Sequence, residues 1–152
     1  MHGIAGGGSL QTTNGAIRVE DAKGRIAAAT SNGTINVAAF DGAAMLQTTN
    51  GTIAVRGSRG TFDVATTNGA ILLDAELTSG ARHRMETTNG SVTVHLRGAP
   101  SLRVDARTTN GAIEASAALV AVQRTSNGLV GTIGTGEGAL SVRTTNGKIT
   151  ID

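Results

Sequence analysis

A four-residue motif recurs eight times along this 152-residue chain and constrains its fold more than any other feature. It reads Thr12-Thr13-Asn14-Gly15 at its first occurrence. It returns as Thr30-Ser31-Asn32-Gly33, Thr48-Thr49-Asn50-Gly51, Thr66-Thr67-Asn68-Gly69, Thr87-Thr88-Asn89-Gly90, Thr108-Thr109-Asn110-Gly111, Thr125-Ser126-Asn127-Gly128 and Thr144-Thr145-Asn146-Gly147. Between the motif asparagines the spacings are 18, 18, 18, 21, 21, 17 and 19 residues. That quasi-period is the one expected of a solenoid, whereas propeller blades repeat at roughly 40 residues or more.

Around each motif, apolar residues alternate with polar or small ones, the signature of strands whose side chains point alternately in and out. Ile17 and Val19, Ile35 and Val37, Ile53 and Val55, Ile71 and Leu73, Val92 and Val94, and Ile149 and Ile151 hold matching positions after the motif. Leu46, Phe62 and Val64, Met85, Leu102 and Val104, and Leu140 and Val142 precede it. The same parity turns the first Thr of each motif inward and the second Thr or Ser outward. The repeating unit is therefore a strand, an Asn-Gly corner, a second strand and a longer return such as Glu20-Asp21-Ala22-Lys23-Gly24.

The predicted fold is all-β: a parallel β-solenoid of about eight coils of 17–21 residues, right-handed by the usual crossover preference. Coils stacked about 4.8 Å apart would turn each inward column into a ladder of like residues and give a rod roughly 35–40 Å long. Asn and Gly adopt positive φ most readily, which predicts that conformation at the corner. Stacked Asn side chains can hydrogen-bond along the rod, and inward Thr hydroxyls can satisfy corner backbone groups. An Asn-Gly pair is also the preferred loop of a two-residue hairpin, so an antiparallel meander of hairpins is the alternative, pairing Thr13 with Ala16 and Leu10 with Val19. Repetition of the whole unit, return included, favours the solenoid. One repeat domain is expected over 1–152, with repeats from residue 10 onward and a flexible glycine-rich lead-in over 1–9.

The composition suits a thin core. The chain has 22 Gly, one Pro, no Cys, Trp or Tyr, and only Phe40 and Phe62 as aromatics, so β-branched and small side chains must fill the interior. The absence of Cys removes disulfides, thiol catalysis and thiolate metal sites. A net charge of +2 with 16% charged residues lacks the basic stripe of a nucleic-acid binder, so no nucleic-acid partner is expected. No run approaches the roughly 18 apolar residues of a membrane span. The start, Met1 to Gly8, lacks the charged and apolar regions of a signal peptide, so no export address is expected in it.

The pattern TTNG-x-[IV]-x-V at 18 to 21 residues resembles a bacterial β-solenoid family of unknown function that carries an adhesin label. The resemblance covers Leu10 to Asp152. It implies a cell-envelope or extracellular scaffold and supplies no catalytic residues.

Function is expected where the repeat is broken. The returns over 75–84 and 95–101 are the longest, and stacking would gather Arg82, Arg84, Arg97 and Arg103 with His83 and His95. Such a set could bind a phosphate, a carboxylate or an acidic glycan, with Arg as bidentate donor. Solvating charge is the simpler reading, with His83 tucked at the core edge as a packed imidazole. Two histidines twelve residues apart lack a third metal ligand, and no cofactor motif is present. The acidic residues are scattered, and there is no G-x-S-x-G, P-loop or H-E-x-x-H, so no enzyme is expected. Gly134-Thr135-Gly136-Glu137-Gly138 reads as a flexible return. Neither end shows a cap, since the chain closes on the strand Lys148-Ile149-Thr150-Ile151-Asp152. Uncapped rungs suggest head-to-tail self-assembly, and the small outward residues after the corner, Ala16, Thr34, Thr52, Ala70, Ser91 and Ala112, suggest a lateral contact between rods.

Overall fold

The structure, a computed structural model, describes residues 5–152. It is an all-β solenoid with two facing walls joined at the Asn-Gly corners. Each rung contributes one strand to each wall. Five rungs follow in chain order: β1 (Ala5–Asn14) with β2 (Ile17–Glu20), β3 (Lys23–Asn32) with β4 (Ile35–Ala38), and β5 (Asp41–Asn50) with the first part of β6 (Ile53–Asn68). The second part of β6 then pairs off with β7 (Ile71–Leu77), and β8 (Arg82–Asn89) with β9 (Val92–Leu96). All neighbours in this run are parallel.

Chain order then breaks. The remaining strands are β10 (Leu102–Asn110), β11 (Ile113–Ala115), β12 (Val120–Arg124), β13 (Gly128–Ile133), β14 (Gly138–Asn146) and β15 (Ile149–Ile151). The sixth rung is not β10 with β11 but β14 with β15, which lie parallel on β8 and β9. β10 and β11 stack on the far side of that rung. The corner asparagines therefore run Asn14, Asn32, Asn50, Asn68, Asn89, Asn146, Asn110 along the rod.

The seventh motif copy in chain order, Thr125 to Gly128, makes no rung. It turns a hairpin between β12 and β13, with the Thr125 amide donating to the Gly128 carbonyl at 2.8 Å, and β13 lies antiparallel on β10. The expected eight coils are thus five successive turns and two rungs added out of order, and the hairpin alternative holds for one copy. Spacing of about 4.8 Å makes the seven corners span about 30 Å.

This hairpin also corrects the expectation of two uncapped ends for the first wall, while on the second wall β11 pairs only with β15 among the described residues. β13 occupies the outer edge of β10, and Ala117 and Leu119 pack against the core end from the crossover before β12. The final strand, β15, is interior to its wall, flanked by β9 and β11. At the other end the lead-in expected over 1–9 is strand from Ala5 onward, because Gly6, Gly7 and Gly8 pair by backbone with Gly24, Arg25 and Ile26. Met1 to Ile4 lie outside the described residues.

The inward columns form one apolar core of Ile, Val, Leu and Ala with Phe40, Phe62 and Met85. Burying each such large side chain contributes about 1.5–3 kcal/mol. Size alternates along the columns. Phe62 shares a column with Ala44, and Phe40 accepts a bond through its carbonyl from Arg59 while its amide donates to the buried Ser58 hydroxyl at 3.2 Å.

Corner chemistry explains the motif. From Asn32 onward, six of the seven stacked Asn side-chain amides donate to the Asn Oδ1 of the adjacent rung at 2.8–2.9 Å. The inward Thr hydroxyl donates to the corner Gly carbonyl of the adjacent rung at 3.0–3.3 Å. Positive φ is not the reason for Asn-Gly. The non-glycine residues at positive φ among those described are Asp21 and Ala39, and Gly15 and Gly51, at 155° and 159°, sit at the border of extended backbone. Close approach is the reason: a Cβ on Gly69 would lie 2.0 Å from the Gly51 carbonyl oxygen.

Candidate functional site

The two long returns do not assemble the expected basic patch. His83 is 2% exposed. Its Nδ1 accepts the Phe62 amide at 3.4 Å and its Nε2 faces the Thr78 carbonyl at 3.1 Å, so Nε2 carries the proton. Burial pushes its pKa below 6.5, opposed only by the bond to Thr78. This imidazole ties the return at Thr78 to β8 and β6; it has no open face for a ligand.

The arginines are spread over both walls. Arg82 and Arg84 lie on β8 and Arg103 on β10, with β14 between them, so that Arg82 and Arg103 both have Ala139 as neighbour. Two rung spacings, about 10 Å, separate them. Arg84 pairs with Glu86. Arg97 belongs to the return after β9 and forms a two-pronged pair with Asp74, its NH2 group 2.7 Å from Oδ2. That bond holds the Asp74 carboxyl below the usual carboxylate range. His95 Nδ1 lies 3.3 Å from Asp152 Oδ2. Exposed pairs of this kind add little stability, yet they engage the charges of Arg84 and Arg97 that an anion would need.

A concave surface lies on the first wall. The outward column Gln11, Ala29, Gln47, Ala65, Glu86 runs beside the outward hydroxyls of Thr13, Ser31, Thr49, Thr67 and Thr88. Between them is a shallow trough of about 400 Å³ crossing five rungs. Beyond Glu86 the column becomes Arg143 and Arg107, so the trough closes in charge where the inserted rung begins.

A match to a family model extends from residue 6 to residue 152. The chain belongs to the Toastrack DUF4097 family. No curated protein and no solved structure gives a significant match to it. Within this Toastrack chain, the family match takes in both the five sequential turns and the out-of-order rungs.

Some features of the Toastrack chain were not picked out from the sequence. A second glycine column stands at the opposite corner, where a Cβ on Gly24, Gly42 or Gly60 would lie 1.8–2.1 Å from the carbonyl oxygen of the previous rung. Its signal was a spacing of 18 residues, equal to that of the motif. Ser101 also escaped notice. Its hydroxyl is 2.7 Å from Thr135 Oγ1 and accepts the amides of Thr135 and Glu137 at 3.1 and 3.3 Å, which fixes the loop between β13 and β14. No local motif announces a role of that kind. No helix of the structure is long and apolar enough to cross a membrane.

Proposed function

We propose that this chain is a non-enzymatic, adhesin-like scaffold that presents its first wall to an extended, hydroxyl-rich glycan at a cell surface. The trough carries the reading. It spans five rungs and is lined by Gln11, Gln47 and a column of Thr and Ser hydroxyls, with Ala29, Ala65 and Glu86 between them; the hydroxyls offer both donors and acceptors at a fixed repeat of about 4.8 Å. A rigid ladder behind them supports it, because side chains held by a packed sheet lose little freedom on binding. The test is a glycan array probed with the intact chain and with Thr49→Lys plus Thr67→Lys. The double variant is expected to lose at least about tenfold of the bound signal; unchanged binding, or none by the intact chain, contradicts the proposal.

Acidic glycans are a weaker fit than the sequence suggested, since Arg84 and Arg97 already face carboxylates. Self-association has one observation in its favour. Among the described residues β1 pairs only with β3, and β2 only with β4. The hairpin covers β10 on the first wall, which favours a contact between two first rungs over a head-to-tail filament, although β11 on the second wall also pairs only with β15. Sedimentation velocity across a concentration series checks it, and a single monomeric species throughout would sink it.

A further inference from the structure

The sixth rung is filled by a segment that is not its neighbour in sequence. β8 and β9 end at Leu96, β10 begins at Leu102, and only Arg97 to Ser101 join them. Yet residues 138–152 lie between these two rungs on both walls. The inserted rung completes the corner ladder. Asn146 donates to Asn89 and accepts from Asn110, both at 2.8 Å, while Thr144 and Thr108 bond across its two faces to Gly90 and to Gly147.

Most contacts that seat this segment are repeat contacts: parallel backbone pairing, the Asn ladder, the Thr-to-Gly bond and inward Leu140, Val142, Ile149 and Ile151; the pairs of Lys148 with Glu114 and of Asp152 with His95, to residues of the two flanking rungs, are added to them. A second copy of the chain offers the same rung with the same register. The joint to the rest of the molecule is short. β13 and β14 clasp β10 from opposite sides, and Gly134 to Glu137 cross over the start of β10 between them. Gly134 and Gly136 stand there at φ 63° and 75°. A segment docked by transferable contacts and joined through a bent hinge can dock into an identical partner when the hinge straightens. The two states then share nearly all contacts and differ at the hinge and in the entropy of association.

We propose that two copies of this chain exchange residues 138–152, each supplying the sixth rung of the other. The slot between β8 and β10 is thus an interaction surface whose partner is a second copy. It is independent of the glycan reading and of pairing between first rungs, because only exchange brings β14 of one copy beside β8 of another.

The chain has no cysteine, so introduced ones report directly. Arg84 and Ser141 are register partners on adjacent strands, at a separation of about 4.8 Å that permits a disulfide. Chains carrying Arg84→Cys and isotopically labelled chains carrying Ser141→Cys are refolded together, oxidised, and analysed by mass spectrometry for the mixed disulfide. A chain bearing both substitutions must close internally, which establishes that the substituted rungs fold in register. Exchange is expected to give at least about tenfold more mixed 84–141 disulfide than the control mixture of Arg18→Cys with Ser141→Cys, whose positions lie on opposite walls. Gly134→Ala with Gly136→Ala, which penalises the bent hinge alone, is expected to raise that yield severalfold further. Mixed disulfide at the control level in both backgrounds overturns the proposal.

Discussion

At the scale of the residue, the corner motif divides its work among its letters. Asn builds a chain of side-chain amides, the first Thr ties each rung to the carbonyl of the next, and Gly admits the neighbouring backbone. These roles predict unequal penalties. Asn68→Ala breaks two exposed ladder bonds, to Asn50 and from Asn89, and is expected to lower unfolding free energy by about 1–2 kcal/mol. Gly69→Val places a Cβ 2.0 Å from a backbone oxygen and is expected to lower it by about 3 kcal/mol or more. Urea denaturation of both variants checks the order; equal effects would return the corner to a simple turn. The sequence revealed that Asn-Gly marks the corner. It did not reveal why, because the Gly requirement comes from the rung beside it, 18 to 57 residues away in the chain, and positive φ is the commoner local reason for a glycine.

At the scale of the element, His83 and the seventh motif copy in chain order show how far pattern reading extends. Parity placed His83 inward on β8, and the structure holds it there between Phe62 and Thr78. Its folded-state pKa is lowered from the ordinary histidine value of 6.5 by burial, so well above that pH the imidazole is neutral in both states and adds no slope. As pH falls below that value the unfolded chain takes the proton first, and stability declines until folded His83 titrates as well. Thermal melts from pH 7.5 to 5 are expected to show this decline, and His83→Gln is expected to flatten it; an unchanged pH dependence in the variant would assign the decline elsewhere. The copy Thr125 to Gly128 turns a hairpin because its flanks run out of phase. Six rungs bury an apolar residue three positions after the corner Asn, as in Ile17 or Val92, and Ile113 holds that place in the seventh, whereas Leu129 comes two positions after Asn127 and is buried there. Before the motif, Val120 and Val122 fall on the outward parity and are exposed. That slip of one residue was legible, but identical corner letters masked it.

At the scale of the whole molecule, rung order is the property that local sequence could not carry. All seven stacked corners share one chemistry, so β14 fits on β8 as well as β10 would, and no residue near Asn110 or Asn146 states which lies nearer Asn89. The choice is made by the joints: the four residues from Gly134 to Glu137 let β13 and β14 clasp β10, and the hairpin then covers its outer edge. The inserted rung should accordingly support both halves. Val142→Ala on β14, fully buried, is expected to lower stability by about 1–3 kcal/mol and to do so in a single transition reported by probes on β3 and on β13 alike. Separate transitions would divide the rod into independent parts. The most direct test of the account is the order itself, read from three double-cysteine chains. Arg84→Cys with Ser141→Cys and Ser141→Cys with Asp105→Cys join adjacent rungs and are expected to close rapidly to disulfides under mild oxidation of dilute monomer. Arg84→Cys with Asp105→Cys spans two rungs, about 10 Å, and is expected to stay open. Rapid closure of that third pair would mean that β10 stacks directly on β8, and would contradict the inserted rung.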